Sequence, residues 1–285
     1  MRQPLVLASP DPSRAARQEV RSLTSSTPDA LWSSPALKAL RPDVVTCTDL
    51  RLGPDLDGCS LSVPAGARLL IVSDPETTAS TLLRVLAGLS RARQGEVHLA
   101  GSADSTSEGW GRRVAYLAPN PGLHAWMTPT EALHLAGRLL GLPQEEATRR
   151  VARAMDWTRI PAAAAGGPIR RGGLSLLQRT GLAAALVGDP EVLLLDEPLR
   201  AIDEHERSSL LKLPGQRRTI VMASRYPASE AGLVAHVAYL RRGRIELIAP
   251  VTALERAELP LSHRGIVALA ELKAMGSPRP GAAPA

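Results

Sequence analysis

The chain has 285 residues, of which 44% are hydrophobic, and its formal net charge is +6. A chain of this length can bury one sizeable core or two unequal lobes, and it has no apolar run of the roughly 18–20 residues that a membrane-spanning helix needs. Aromatic residues make up only 2% of the chain, which excludes a stacking platform for single-stranded nucleic acid. The two cysteines, Cys47 and Cys59, are too few for a disulfide framework, and we expect them to be small core residues.

The two ends of the chain differ in composition from its middle. Residues 1–43 are rich in Ser, Pro, Ala and Arg without a sustained period, which predicts a disordered extension. Residues 276–285 read GSPRPGAAPA and have the composition of a disordered tail. Between them we expect a folded domain over 44–255 and a carboxyl-terminal helix over 256–275.

Short apolar segments of the folded domain predict β-strands. The segment 95–101 alternates at period two between glycines, as in an exposed antiparallel strand, whereas 192–195 is the unbroken apolar run of a strand buried on both faces. Residues 242–244 (RGR) indicate a hairpin turn between the last two strands. In chain order, the predicted strands cover residues 44–50, 69–72, 95–101, 114–117, 192–195, 219–223, 237–240 and 245–248.

A helical block is predicted in the middle of the chain. Its first helix has a strong start signal, because Thr128 can cap it, Pro129 suits the first helical position and Glu131 completes a capping box. The rest of the block is predicted as a helix over 144–157, a loop over 161–173 and a helix over 175–187.

Two motifs in this pattern carry chemistry. Residues 193–198 read LLLDEP, so a buried strand ends in the paired acids Asp196 and Glu197, which need solvent or a cation at such a place. Residues 69–89 read LLIVSDPETTASTLLRVLAGL, which we interpret as an apolar strand, a short loop and a helix opening at Ser80. This is the setting in which the motif G-x-x-x-x-G-K-[ST] holds phosphates.

The phosphate loop has lost most of the residues that bind phosphate. Ser73, Thr78 and Ala79 stand at the positions of the first Gly, the last Gly and the Lys, and only the final Ser/Thr position is matched. Glycines let backbone N–H groups converge on phosphates, and the Lys neutralises them. With Asp74 and Glu76 in the loop, its formal charge goes from +1 to −2, which disfavours tight nucleotide binding.

The order of the motifs resembles that of the nucleotide-binding subunit of ABC transporters, across roughly residues 44–255. The resemblance implies an α/β fold, a P-loop NTPase ABC-type core with an antiparallel β part and an inserted helical subdomain at about 120–180. The segments that carry it are 81–89 (TLLRVLAGL), 181–198 (GLAAALVGDPEVLLLDEP), 201–203 (AID) and 240–245 (LRRGRI).

The resemblance also implies cofactors and residue roles. ATP and Mg²⁺ are the ligands of the family; Asp196 and Ser80 would hold Mg²⁺, and Glu197 would polarise the attacking water. Arg225 aligns with the family's histidine near the end of a late strand and could reach a γ-phosphate. The other positions that match nucleotide-binding motifs are Thr81, Asn120, Ser175 and Asp203.

Several of these motifs depart from the family's pattern. Pro119 stands where a glutamine is expected, and Asn120 follows one residue late. The signature LSGGQ is replaced by GGLSL at 172–176, where Ser175 also suits an ordinary N-cap. In the family each ATP lies between the phosphate loop of one subunit and the signature of the other, so neither site of a dimer would be complete.

Three functions remain open. The first is a non-catalytic or weakly active ABC subunit, cytoplasmic and peripheral at the inner face of the cell membrane, which docks a membrane permease and a second nucleotide-binding subunit. The second is a diverged but active ABC ATPase that couples ATP binding and hydrolysis to transmembrane export. The third is a non-transport regulatory module, in which Asp74, Glu76, Asp196 and Glu197 converge on a metal. No nucleic-acid partner is expected in any of them.

Overall fold

The computed structural model describes residues 42–103, 110–203, 206–207 and 218–276. Each predicted strand has a counterpart in it, and one further strand is present. The predicted disordered ends lie outside the described residues, apart from residues 42, 43 and 276. The strands are β1 (Asp43–Leu52), β2 (Leu56–Pro64), β3 (Arg68–Asp74), β4 (Gln94–Leu99), β5 (Val114–Leu117), β6 (Val192–Asp196), β7 (Thr219–Ala223), β8 (His236–Arg241) and β9 (Arg244–Pro250).

The strands form two sheets. The smaller sheet is antiparallel and has the order β2-β1-β4. Strand β2 is the one that the sequence did not predict, because its Asp, Gly and Ser residues have low strand propensity, which pairing with β1 overrides. The larger sheet has the order β5-β6-β7-β3-β8-β9, and all its pairs are parallel except β8 with β9. Strands β6 and β7 are buried along their whole length, as predicted for residues 192–195.

The predicted hairpin at residues 242–244 joins β8 to β9. Arg242 and Gly243 both have positive φ, 50° and 74°, which is the geometry of a two-residue turn matched to the strand twist. A Cβ atom at Gly243 would lie 2.4 Å from the backbone nitrogen of Asp57, so the turn needs glycine both for its conformation and for its contact with β2.

Helices surround the larger sheet. Helix α3 has the predicted capping box, because Thr128 and Glu131 each bond the other's backbone N–H. No helix of the described ranges is long and apolar enough to cross a membrane. The helices are α1 (Thr77–Leu86), α2 (Trp110–Arg113), α3 (Pro129–Leu139), α4 (Gln144–Trp157), α5 (Ala162–Ala165), α6 (Gly173–Val187), α7 (Val251–Arg256) and α8 (His263–Gly276), with 3₁₀ turns at Ile169–Gly172 and Pro227–Glu230.

Two helical predictions were wrong. The predicted loop at 161–173 contains α5 and a 3₁₀ turn, because four consecutive alanines favour a helical turn after Pro161. Ser175 is not an N-cap: α6 begins at Gly173 directly after the 3₁₀ turn, and its cap residue, Gly172, makes no side-chain cap bond. The Ser175 hydroxyl instead accepts a hydrogen bond from Arg179 Nε at 3.3 Å.

Helix α1 begins at Thr77, three residues before the predicted opening at Ser80. The N–H of Thr78 already donates to the carbonyl of Pro75 at 3.0 Å, so helical hydrogen bonding starts inside the expected phosphate loop. The helix expected over 256–275 occupies His263–Gly276, since the chain turns at Pro260 after α7.

The core has two layers separated by the larger sheet. Leu70 and Val72 of β3 face the helical block and the carboxyl-terminal helices, while Leu69 and Ile71 face helix α1 and the smaller sheet. This alternation is the period of two expected for a strand that packs on both faces. Cys47 and Cys59 are buried free thiols of the second layer, which confirms their predicted role as core residues.

Candidate functional site

The paired acids at the end of β6 lie beside helix α1. The Ser80 hydroxyl donates a hydrogen bond to Asp196 Oδ1 at 2.9 Å, and the Tyr116 hydroxyl donates to Oδ2 at 3.3 Å. Asp196 is buried, and burial raises its pKa although both hydrogen bonds oppose the shift. The structure thus brings together Ser80 and Asp196, the predicted magnesium pair, whose oxygen atoms have the chemistry that Mg²⁺ prefers.

Glu197 contacts Arg225, which follows strand β7. The backbone N–H and the Nε of Arg225 both donate to Glu197 Oε1 at 3.0 Å. The Glu197 side chain is 8% exposed and that of Arg225 is 46% exposed, so the ion pair covers the carboxylate from the solvent side. Arg225 is thus bonded to Glu197, the acid that was expected to polarise the attacking water.

A buried glutamine holds the backbone after the paired acids. Gln178 Nε2 donates to the carbonyl oxygens of Glu197 and Pro198, both at 3.2 Å. The sequence interpretation gave Gln178 no role. The signal that could have found it is an amide side chain on the buried face of α6, since a buried polar group without a partner is costly.

The segment that aligns with the phosphate loop, residues 73–80, is closed by its own first residue. The Ser73 hydroxyl accepts a hydrogen bond from the N–H of Ala79 at 2.9 Å and lies 2.8 Å from the carbonyl oxygen of Pro75. Phosphate loops leave such N–H groups free for the ligand. In this chain a serine hydroxyl already satisfies the amide at the position of the missing lysine.

Asp74 is turned away from the loop. Its Oδ2 accepts a hydrogen bond from the Tyr239 hydroxyl at 2.5 Å, and its Oδ1 lies 3.2 Å from Nε2 of His263, the first residue of α8. Burial and the contact with Asp74 raise the pKa of Tyr239. Neither Tyr239 nor His263 was singled out in the sequence, because nothing local connects them with the loop.

The space between the loop and Glu197 is small. It measures about 10 Å³, which is room for about one water molecule. Its walls include Ser73, Glu76 and Ala79 of the loop segment, together with Glu197 and His263. Of the two loop acids, Glu76 lines this space and Asp74 does not, and Arg225 is a further lining residue.

The other predicted contact residues lie apart from this cavity. The Thr81 hydroxyl donates to Asp55 Oδ2 at 2.8 Å, in the turn between β1 and β2. Asn120 is exposed in the loop after β5, and Ser175 lies in the first turn of α6. Asp203 is exposed after the turn that follows the paired acids.

The four carboxylates of the metal hypothesis do not converge. Asp74 contacts Tyr239 and His263, whereas Asp196 and Glu197 contact other partners. Among the residues that the structure describes, no three His, Cys, Asp or Glu side chains are grouped closely enough to hold a metal ion. That part of the third hypothesis is wrong, because Asp74, Asp196 and Glu197 each accept a hydrogen bond from a different protein partner.

The fold and the site together define a class of protein. A parallel sheet with a loop and helix after β3, paired acids after β6, a separate antiparallel sheet and a helical block are the features of a P-loop NTPase with an ABC-type core. The family model described as ABC transporter matches residues 56–200, just over half of the chain, and the chain belongs to the ABC transporter family. Members of this family normally bind ATP and Mg²⁺.

Two curated relatives show the extent of the sequence similarity. An uncharacterized ABC transporter ATP-binding protein of Nostoc sp. is 31% identical over 197 residues, which are 67% of this chain and 58% of that protein. The aliphatic sulfonates import ATP-binding protein SsuB 1 of Mesorhizobium japonicum is 31% identical over 208 residues, which are 67% of this chain and 72% of that protein. The chain thus spans less than two thirds of the Nostoc relative.

A solved structure supports the fold. The ATP-binding subunit of an ABC transporter superposes with a TM-score of 0.69 at 20% sequence identity, covering 79% of this chain and 99% of that one. At this identity the match shows the fold alone.

Proposed function

We propose that this chain is an ABC subunit that docks a membrane permease without binding or hydrolysing ATP at its own phosphate loop. The observation that carries the proposal is the contact between the Ser73 hydroxyl and the Ala79 N–H at 2.9 Å. It occupies an amide that would bind phosphate, at the residue where the neutralising lysine is missing. For a phosphate to bind this loop as it does in the family, the hydrogen bond between Ser73 and Ala79 must break. No lysine is present at residue 79 to compensate for that loss.

The charges around the loop support the same conclusion. Two unit charges about 4 Å apart interact by about 4 kcal/mol at an effective dielectric constant of 20, while a helix N-terminus recovers only about 0.3–1 kcal/mol for an anion. Glu76 and Arg225 both line the cavity, and Arg225 is already paired with Glu197. A phosphate would therefore meet an acidic residue and a paired guanidinium group instead of a free ammonium group. Even after strong solvent screening of Glu76, the electrostatic free energy disfavours a bound triphosphate. A space of about 10 Å³ is also too small to hold one.

The ion pair of Glu197 argues against hydrolysis. A general base must have its carboxylate within reach of the attacking water, but Glu197 Oε1 accepts two hydrogen bonds from Arg225. Arg225 lines the same cavity, but its Nε and backbone N–H are already engaged by Glu197.

The proposed partners follow from the family. Relatives are named as import ATP-binding proteins, for aliphatic sulfonates in Mesorhizobium japonicum and for nickel in Rhodobacter capsulatus. We infer that this chain acts at the cytoplasmic face of the membrane, with a permease and a second nucleotide-binding subunit. Co-purification of the tagged chain with a multi-spanning membrane protein tests this part, and recovery of the chain alone from detergent extracts of its native cells would contradict it.

A second candidate is a diverged ATPase, which the Ser80–Asp196 contact of 2.9 Å favours. If Mg²⁺ and nucleotide enter after the loop opens, these two side chains are already adjacent. This candidate predicts measurable ATP hydrolysis by the full chain that is lost in Glu197→Gln, while the first proposal predicts no hydrolysis in either protein.

Calorimetric titration of the full chain with ATP, with and without Mg²⁺, tests the main proposal. We expect no saturation below about 1 mM, since neither charge nor space favours the ligand; micromolar affinity would overturn the proposal. The double variant Ser73→Gly/Ala79→Lys removes the hydroxyl that occupies the N–H of residue 79, and it adds the missing cation. It should bind ATP at least about tenfold more tightly than Ser73→Gly/Ala79→Met, which has a long side chain without charge.

A further inference from the structure

A second cavity lies at the carboxyl edge of the larger sheet. It measures about 360 Å³ and shares Glu197 and Ser224 with the small cavity. Its other described walls come from segments that follow β6 and β7, not from the phosphate loop. In α/β folds, ligands bind preferentially at this edge. The open space at the edge is therefore bounded by residues that do not belong to the phosphate loop.

Two guanidinium groups line this cavity. Arg200 is exposed, and its side chain makes no hydrogen bond or ion pair within the described ranges. Arg207 is held in place, because its Nε donates to the carbonyl of Ile202 and its Nη1 donates to the hydroxyl of Ser229, both at 2.8 Å. Its remaining nitrogen, Nη2, has no hydrogen bond to any residue that the structure describes. Both cations can thus donate to a ligand.

A buried carboxyl group forms another wall. Glu230 is 1% exposed, and its Oε2 has no hydrogen-bond partner among the described residues. Burial raises the pKa of Glu230 to about 7, and repulsion from Glu197 adds to the shift, whereas Ser224 and Arg207 oppose it. Near neutral pH this group is therefore able to carry a proton and to donate it to an acceptor.

The charges of the lining favour an anion. Arg200 and Arg207 contribute two positive charges, Glu197 is already balanced by Arg225, and a protonated Glu230 is neutral. We propose that this cavity binds a small oxyanion of the phosphate or sulfate class, held by Arg200, by Arg207 and by a proton on Glu230. The cavity is larger than a single oxyanion, so it has room for a free ion or for a small organic phosphate. Both ligands present the same phosphate or sulfate oxygens to these groups. This inference does not rest on the inactivity of the phosphate loop.

Inorganic sulfate is the first probe, because its charge does not change between pH 6 and pH 8. Titration calorimetry of the full chain should show saturable binding at millimolar concentration or below, weaker by at least about fivefold in Arg200→Gln and in Arg207→Gln. Arg200 is exposed, so its variant keeps the fold even if Arg207→Gln does not. Arg170→Gln, an exposed arginine of the helical block, is the matched control and should bind as the unmodified chain does.

The pH dependence tests the role of the buried carboxyl. If only the protonated form binds, affinity should fall about tenfold from pH 6 to pH 8, and Glu230→Gln should abolish this dependence. Absence of sulfate binding, equal loss in Arg170→Gln, or an unchanged pH dependence in Glu230→Gln would each overturn the proposal. Phenyl phosphate identifies the source: tighter binding than inorganic phosphate indicates an organic phosphate, and equal binding indicates the free ion.

Discussion

Single carboxylates decide what the candidate site can do. Asp74, Asp196 and Glu197 lie within or near a site built for phosphates in this family, and each has a protein partner: Tyr239, Ser80 and Arg225 respectively. A carboxylate that already accepts hydrogen bonds loses them when it takes a new ligand, and that loss reduces the net gain of binding. In this chain, therefore, the residues that bind phosphate are replaced, and the nearby acids form hydrogen bonds with other side chains of the protein.

Glu230 gives a pH prediction at the same scale. Its folded-state pKa of about 7 lies above its ordinary value of 4.5, so the folded state binds more protons and stability falls as pH rises through this window. The loss is about 3 kcal/mol in total, complete above pH 7. Glu230→Gln should flatten this part of the profile in chemical denaturation between pH 5 and 8. Asp196, whose pKa is also raised by burial, keeps a residual slope; a profile as steep as that of the unmodified chain would contradict the prediction.

Helices and strands of this molecule form for both local and distant reasons. Helix α3 begins where Thr128 and Glu131 satisfy each other's backbone, three residues apart, and a local pattern of this kind is visible in the sequence. Strand β2 has no such pattern and exists because β1 pairs with it along its whole length. The first turn of α1 is likewise set by a contact, that of Ser73 with Ala79.

The capping box predicts a stability effect. Thr128→Ala leaves the N–H of Glu131 without its acceptor and should lower the free energy of unfolding by about 1 kcal/mol, measured by urea denaturation. Thr148→Ala is the matched control: Thr148 is exposed within α4, where its hydroxyl donates to the Gln144 carbonyl four residues earlier. Because alanine has the higher helix propensity, the control should be neutral or slightly stabilising. Equal losses in both variants would show that the cap contributes nothing.

The whole molecule brings its carboxyl-terminal helix to the phosphate loop. Helix α8 packs on the core through Ile266 and Leu269, and its first residue, His263, lines the small cavity and approaches Asp74. The surroundings of the closed loop therefore include a segment more than 180 residues away in the chain.

Removal of the His263 side chain should loosen the loop. We expect His263→Ala to raise the hydrogen-exchange rate of the amides at 76–80 by at least about fivefold, because local opening no longer breaks a contact with α8. Exchange mass spectrometry of the full chain measures this. Met275→Ala, an exposed residue of the same helix, is the control and should leave the rate unchanged. An unchanged rate in His263→Ala would show that Ser73 alone closes the loop.

The sequence by itself determined the family, every described strand except β2 and the loss of the phosphate-binding lysine. These features depend on local patterns, such as apolar periodicity, the capping box and LLLDEP, which survive without knowledge of distant contacts. Only the tertiary structure decided the partners of the acids. Tyr239 and Asp74 are 165 residues apart, and parallel pairing of β3 with β8 brings them together. A side chain bonds the groups that the fold places within about 3 Å of it, and a local sequence pattern does not show which groups these are.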